Sequence, residues 1–573
     1  AHTRGHKRRP SHLRSTTERL SQQRDNMPAK KERKPSISEK EQFWVLPLPK
    51  WDRSEKDLSI RQLASKQSIE EVEFKGKRVL VRVDYNVPIK EGKVTDPTRI
   101  LASLDSIKYM LSNKQRLPKC IVLICHLGRP GGRFKKEDFS LRPVANLLRE
   151  YLQDYAPVKF LEQCVGPDVE EEINATESCT VYLLENLRFH IEECGKSVSA
   201  KGEKRKAVPE AVTRFRKALS RLGDVFVFEA FGAAHRPHSS VVGVDLPQRV
   251  AGLLMKKELT YYSKVLGNPE RPFLAIIGGS KVTDKIKVIQ NMLKIADEVI
   301  IGGGMAYTFK KVCDGVEIGS SLYDKDGAMI VGQIMEAAAK KGVKIHLPVD
   351  HVIADDFSPD AKSRMVDDNE GIPEGWMALD VGDTSIRQFK AVMGRAKTIL
   401  WNGPLGVFEF KKFAKGTESC MVEMVKATAR DCTTIIGGGD TGAASRVFKV
   451  GSKAVAEQIS HASTGGGSSL VLMEGKMLPG VAHLSEKTDL PPSHLDYATM
   501  WMETKSIKRE QQNIKAKLAS MEQSIKRALE MAAISKTKKE RGSMLWEMLS
   551  DHHTEIALVA GALLGAAIAA RKR

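Results

Sequence analysis

Along residues 74 to 470 one pattern repeats: a short apolar or β-branched run that stops abruptly at a polar or glycine signal. A first set of runs covers 78–86 (RVLVRVDYN), 119–130, 180–189 and 224–232. A second covers 272–281, 298–306, 343–352, 398–406 and 433–442. The runs are continuously apolar rather than alternating, which suits strands covered on both faces. Helical periodicity fills the gaps, as in 253–266 and 287–299. Strands alternating with helices predict parallel sheets clothed by helices. The expected fold class is therefore α/β, with two doubly wound parallel-sheet (Rossmann-like) domains joined by a hinge helix, plus terminal extensions. The expected divisions are a basic, disordered extension over 1–69, a first domain over 70–250, a linking helix over 251–268 and a second domain over 269–470. A return segment follows over 471–487, and a helical extension over 488–573.

Composition changes this picture little. The chain has 573 residues, 41% hydrophobic and 28% charged, which is globular composition. Its net charge of +20 is concentrated at the ends. The first 69 residues hold about 17 Lys and Arg against 8 Asp and Glu. The centre is only mildly basic and carries no recognised nucleic-acid module, so no specific nucleic-acid partner is expected. Eight cysteines lie scattered, without CxxC or zinc spacing, and read as thiols in a reducing compartment.

The candidate chemistry sits where the apolar runs end, and ligands of open α/β sheets bind beyond the carboxyl ends of the strands. The first half offers Asp84, Asn86, Arg99, His126, Arg129, Arg188, His235 and Arg236. Several guanidinium forks on one edge suit a small molecule with more than one anionic group. The second half offers the glycine clusters at 278–279, 302–304, 403, 437–439 and 465–467. Bare backbone there lets N–H groups approach phosphates at helix starts. Lys281 and Lys285 are four apart and would share one helical face. Asp440 could hold Mg²⁺, which takes one or two carboxylates plus phosphate oxygens. Neither GxxxxGK[ST] nor a GxGxxG fingerprint following a strand occurs.

The segments RVDYNVP (82–88), HLGRP (126–130), LLENLRF (183–189), AFGAAHR (230–236), GGSKVTDK (278–285), IIGGGMA (300–306), WNGPLGVFE (401–409), GGGDT (437–441) and STGGG (463–467) together resemble the phosphoglycerate kinase family. The resemblance covers about residues 70–487. It implies reversible transfer of a phosphoryl group between 1,3-bisphosphoglycerate and ADP, giving 3-phosphoglycerate and ATP, with Mg²⁺ accompanying the nucleotide. It assigns Val83, Asp84, Tyr85, Asn86, Arg99, Cys125, His126, Gly128, Arg129, Leu187, Arg188, His235 and Arg236 to the 3-phosphoglycerate side. It assigns Gly279, Ser280, Lys281, Lys285, Gly303, Ala378, Asn402, Gly403, Pro404, Phe408, Glu409, Gly438, Gly439, Asp440 and Thr441 to the nucleotide, with Asp440 as the metal carboxylate. The catalytic group would be Arg99, Lys281, Gly438 and Gly465. The chain departs from the family's pattern at Phe228–Glu229, where Asn-Asp is common, and at Cys125, Ser280, Ala378 and Leu405. About five extra residues separate Asp440 from the STGGG segment.

The attacking or leaving group of the implied reaction is a carboxylate, ionised at neutral pH, so no general base is expected. Domain closure would exclude water and bring a monomeric core's two half-sites together. The ends add two further expectations. Apolar residues at helical spacing over 497–532, from Trp501 to Leu529, predict an amphipathic helix suited equally to a helix partner or to docking on its own chain. The uncharged stretch 556–570 would span roughly 22 Å as a helix, short of a bilayer core of about 30 Å. With Gly561 and Gly565 spaced as GxxxG, it reads as a thin-membrane or surface anchor, with a buried soluble helix as the alternative. This arrangement resembles organelle-targeted, glycosome-type isoforms, although no SKL-type ending is present; the expected location is cytoplasmic or glycosomal, with membrane association through 556–570.

Overall fold

The computed structural model describes residues 63–198 and 202–487. The 497–532 helix and the 556–570 segment lie outside them. Six strands form a first, wholly parallel sheet: β1 (Arg78–Val83), β2 (Cys120–Ile124), β3 (Val158–Leu161), β4 (Thr180–Leu184), β5 (Val225–Glu229) and β6 (Gln248–Ala251). Their spatial order is β6-β5-β1-β2-β4-β3. A second parallel sheet contains β7 (Phe273–Ile277), β8 (Glu298–Ile301), β9 (Lys344–His346), β10 (Thr398–Asn402), β11 (Thr433–Gly437) and β12 (His461–Ala462), in the order β9-β8-β7-β10-β11-β12. In each sheet the chain starts in the middle, winds to one edge, then returns to wind toward the other. The reversals fall at β1/β5 and β7/β10, and each leaves a crevice beyond the strand carboxyl ends.

The apolar runs are buried because helices cover both faces. In β1, Val79, Val81 and Val83 join one core while Leu80 joins the other. All five residues of β7 are likewise buried. Five helices bear on the site: α1 (Thr98–Ser112), α2 (Leu253–Gly267), α3 (Ile286–Ile295), α4 (Gly439–Val447) and α5 (Gly466–Met473). Helix α2 runs between the sheets and buries Met255, Glu258, Leu259, Tyr261, Tyr262, Val265 and Leu266. The chain after α5 returns to the first sheet, where Gly480 N donates to Ala234 O and Ser485 N to Arg249 O.

Several sequence expectations need correction. The run 343–352 is two strands: β9, and Asp350–Ala354, which belongs to a three-stranded antiparallel sheet with Ser363–Asp367 and Met377–Val381. The helix expected over 287–299 stops at Ile295, because Glu298 already starts β8. The linking helix starts at Leu253, with Ala251 closing β6. The described residues begin at Leu63, inside the extension expected over 1–69, where Gln67 N donates to Ser485 O and the Lys66 ammonium pairs with Glu486. Residue 470 is no boundary, since it falls inside α5.

Candidate functional site

Asp84 follows β1 at the first sheet's crevice. Asp84 accepts from Arg99 Nη1 at 3.2 Å, and the same nitrogen reaches Asn86 O at 3.3 Å. Asn86 Oδ1 accepts from Gly128 N at 2.8 Å, tying the end of β1 to the loop after β2. Arg188 Nη1 donates to Gly128 O at 2.7 Å, while its Nε is buried without a partner. Arg236 Nε donates to His235 Nε2 at 3.0 Å. Arg129 is exposed beside them. His126 is buried, and burial together with Arg82 and Arg188 holds it well below its usual range. His238 is pushed down to about 3 by burial and the same two arginines, so it too is neutral. The crevice is a concentration of fixed positive charge lined by uncharged imidazoles.

Four residues assigned to this side do not present side chains to it. Val83, Tyr85, Cys125 and Leu187 are fully buried in the cores. The Tyr85 hydroxyl bonds Ser103, and burial raises both this phenol and the Cys125 thiol above their normal ranges. Only their backbone borders the site, as where Cys125 O accepts from Leu187 N.

In the second half one cavity of about 220 Å³ lies at the β7/β10 reversal. Gly279, Ser280, Lys281, Lys285, Asn402, Gly403, Pro404, Gly438, Gly439, Asp440 and Thr441 all line it. Two close approaches explain the glycines. A Cβ at Gly278 would collide with the Pro404 carbonyl, and one on Gly438, at φ +99°, would stand 2.7 Å from Asn402 Nδ2. Asn402 and Thr441 brace the floor: Asn402 Nδ2 donates to Gly437 O at 2.9 Å, and Gly403 N donates to Thr441 Oγ1 at 2.6 Å. Lys285 Nζ donates to Asn402 Oδ1, and burial lowers its pKa. Lys281 and Lys285 precede α3 in a loop rather than sharing a helical face, yet both reach the cavity. Gly438 and Gly465 stand at the N-caps of α4 and α5, whose first turns face each other.

The remaining nucleotide-side residues lie outside this cavity. Gly303 abuts Gly279 and the Pro404 carbonyl. Ala378 is in the antiparallel sheet, its N–H donating to Ser321 Oγ. Phe408 packs edge-on to Phe448, and Glu409 is exposed.

The two half-sites meet along one seam. A Cβ on Gly232 would collide with Asp84 and stand 3.6 Å from Thr464 O. Gly465 lies against the Phe231 ring, and His235 Nδ1 is 3.0 Å from Ser468 Oγ on α5. Glu258 of α2 accepts from Thr464 N at 2.7 Å and Thr464 Oγ1 at 2.8 Å, and pairs with His461 Nε2 at 2.7 Å. Sequence reading missed Glu258, Ser468, Arg82 and His238. Arg82 alone carried a signal, a charge interrupting the apolar run of β1.

Phe228–Glu229, the departure noted above, ends β5. Phe228 is core, and the Glu229 carboxylate accepts from Ser106 of α1 and from Leu254 N and Met255 N in the first turn of α2. It is therefore tied to the start of the linking helix.

Residues 69–476 match the family profile described as phosphoglycerate kinase. A probable phosphoglycerate kinase of Caenorhabditis elegans is 55% identical over 421 residues, 74% of this chain and 98% of that protein. The phosphoglycerate kinase of Saccharomyces cerevisiae is 54% identical over 425 residues, 74% of this chain and 99% of its own length. The solved phosphoglycerate kinase of Coxiella burnetii superposes with a TM-score of 0.61 at 35% identity, covering 73% of this chain and 98% of that one. With two doubly wound sheets, an arginine-lined crevice and a glycine-walled cavity meeting at α5, this chain belongs to the phosphoglycerate kinase family.

Proposed function

We propose that the chain catalyses 1,3-bisphosphoglycerate + ADP ⇌ 3-phosphoglycerate + ATP, with the phosphoglycerate on the arginine-lined crevice and the nucleotide phosphates in the glycine-walled cavity. The observation that carries the reading is the seam at Thr464–Gly466, which belongs to both half-sites at once. The two bodies built on the two sheets close about α2, with the chain after α5 returning to the first.

The reaction needs positioning and charge neutralisation rather than proton transfer. Arg99 is the substrate-side group that follows the phosphoryl group in flight; its side chain is 38% exposed and its one carboxylate partner among the described residues, Asp84, lies at 3.2 Å, so it is free to swing. Lys281 and Lys285 answer from the nucleotide side. Backbone N–H groups at the starts of α4 and α5 supply fixed dipoles. His126 and His235 take no proton. Gly303, Ala378, Phe408 and Glu409 border the adenosine.

Asp440, exposed in the first turn of α4, fits Mg²⁺ binding: a single protein carboxylate suits an ion whose other ligands are phosphate oxygens and water. Among the described residues no group of three or more metal-binding side chains exists, so the ion would come with the nucleotide. When bound it neutralises phosphate charge.

Among the described residues no helix is long and apolar enough to cross a membrane. Attachment through 556–570, in a glycosome or elsewhere, remains a proposal for cell fractionation with and without that segment. The test of the catalytic reading is a coupled assay of ATP formation. Arg99→Ala should lower turnover by on the order of 10²-fold, the scale of a lost transition-state donor; unchanged turnover would reject the role given to Arg99.

A further inference from the structure

Strand β1 alternates Val79, Val81 and Val83 onto one face and Leu80 onto the other. The next position on the Leu80 face is Arg82, at 0% exposure. A buried guanidinium must place its N–H groups and have its charge answered. Arg82 Nε donates to Ser240 Oγ at 2.8 Å, Nη1 donates to the Val83 carbonyl, and Nη2 lies 3.0 Å from His126 Nδ1. The answering charge is relayed rather than direct. Ser240 Oγ donates to Glu193 Oε1 at 2.7 Å and Ser240 N to Oε2 at 2.9 Å, and Glu193 is itself buried.

Arginine has donors and no acceptor, and it does not lose its proton in proteins. A 3.0 Å approach from Nη2 therefore leaves one role for His126 Nδ1, the lone-pair acceptor. The ring proton must then sit on Nε2, which has no protein partner among the described residues. We propose that Arg82 is a positioning residue that locks His126 in the Nε2–H tautomer, making it a neutral and constant hydrogen-bond donor to an oxygen of the three-carbon acid. The substrate clause rests on the function proposed above; the tautomer does not.

The surroundings reinforce the lock. Arg82 from β1, Arg99 from α1, Arg188 from the turn after β4 and the neutral His238 all face the ring, and with burial they disfavour a second proton on it. A second proton on His126 would add a cation to a crevice already filled with guanidinium groups. It would also turn Nδ1–H against Nη2–H. A neutral donor contributes direction to substrate binding without that repulsion, and without a pH at which it fails.

The test is ¹⁵N NMR of the full chain with labelled histidine, assigned by His126→Gln, from about pH 5.5 to 8. The expected result is an unprotonated Nδ1, a protonated Nε2 and no titration in that range. A protonated Nδ1, or a midpoint inside the range, overturns the proposal, and this wild-type spectrum depends on no variant. In Arg82→Met the lock is gone: His126 should show both tautomers, and KM for 3-phosphoglycerate should rise about 10-fold, the loss of one good hydrogen bond, with KM for the nucleotide unchanged. An unchanged His126 spectrum in Arg82→Met overturns the lock. If the wild-type tautomer is as stated but 3-phosphoglycerate leaves the Nε2 signal unmoved, the substrate clause is overturned and the lock stands.

Discussion

Glu258 offers the sharpest check on how the two half-sites are held together. Its carboxylate is fully buried on α2, with Oε1 accepting from Thr464 N and Oγ1 and Oε2 pairing with His461 Nε2. Burial pushes its pKa up, but His461 and the Thr464 N–H outweigh this and leave it lowered. Glu258→Ala strips all three contacts and should destabilise by about 3–5 kcal/mol, the cost of breaking a buried pair. Glu258→Gln keeps an oxygen facing Thr464 and loses mainly the charged bond to His461, so about 1.5–3 kcal/mol is expected. Urea denaturation followed by tryptophan fluorescence gives the ordering. The lowered pKa adds a sign: the carboxylate's stabilisation is complete above its unfolded value, near pH 4.5, and is lost as pH falls through the folded value. The gap between wild type and Glu258→Gln should therefore shrink below about pH 4.5. Equal midpoints for Ala, Gln and wild type at neutral pH would refute the reasoning, as would a gap that widens in acid.

Gly278→Ala should abolish nucleotide binding, because its Cβ would collide with the Pro404 carbonyl; calorimetric titration with ADP reads it. Lys285→Met should weaken ADP binding by about 10-fold, the loss of one charged contact, while phosphoglycerate affinity holds; the same titration measures both. Glu229, pushed up to about 7 by burial despite bonds from Ser106, Leu254 N and Met255 N, gives a pH signature. Its folded pKa exceeds the unfolded one, so its contribution is fullest below about pH 4.5 and falls as pH rises through about 7. Glu229→Gln should flatten the thermal midpoint across that window.

Much of the fold was legible because strands buried on both faces are written as uninterrupted apolar runs. Nine such runs stood out, and the strands that escaped notice explain why. The four residues of β3 (Val158–Leu161) include an exposed Lys159, β6 (Gln248–Ala251) starts with two polar residues, and β12 is two residues long. These lie at sheet edges, where less burial means less apolar sequence. The glycine-walled cavity was legible for a related reason. Glycine next to a strand end marks backbone packed too closely for a Cβ, and Gly278 and Gly438 bear that out. Glu258 and Ser468 left no such mark. A buried acid on an amphipathic helix looks like any solvated one until its partner, 203 residues away, is brought beside it.

The division of labour between the halves follows from what each must hold. On the proposed nucleotide side, an anion would meet backbone N–H groups at the starts of α4 and α5. Backbone dipoles cannot swing, so that half supplies a fixed cradle. On the other side, Arg99 and Arg129 are long, partly exposed side chains able to follow a moving group. A cluster of mobile cations repels itself, and the sequence between β1 and β6 is built to limit that repulsion. Asp84 draws off Arg99, Glu193 answers Arg82 through Ser240, and the three imidazoles His126, His235 and His238 are all held below their usual range by burial and neighbouring arginines. Removing one of these restraints should raise the cost of the empty crevice more than that of the filled one, because a bound trianion would supply the missing negative charge. Asp84→Asn is the case in point. Its thermal midpoint should fall without ligand, and added 3-phosphoglycerate should restore it by a larger increment than in wild type, as linkage between charge and binding requires. An equal increment in both proteins would mean that Asp84 shapes the crevice without balancing its charge.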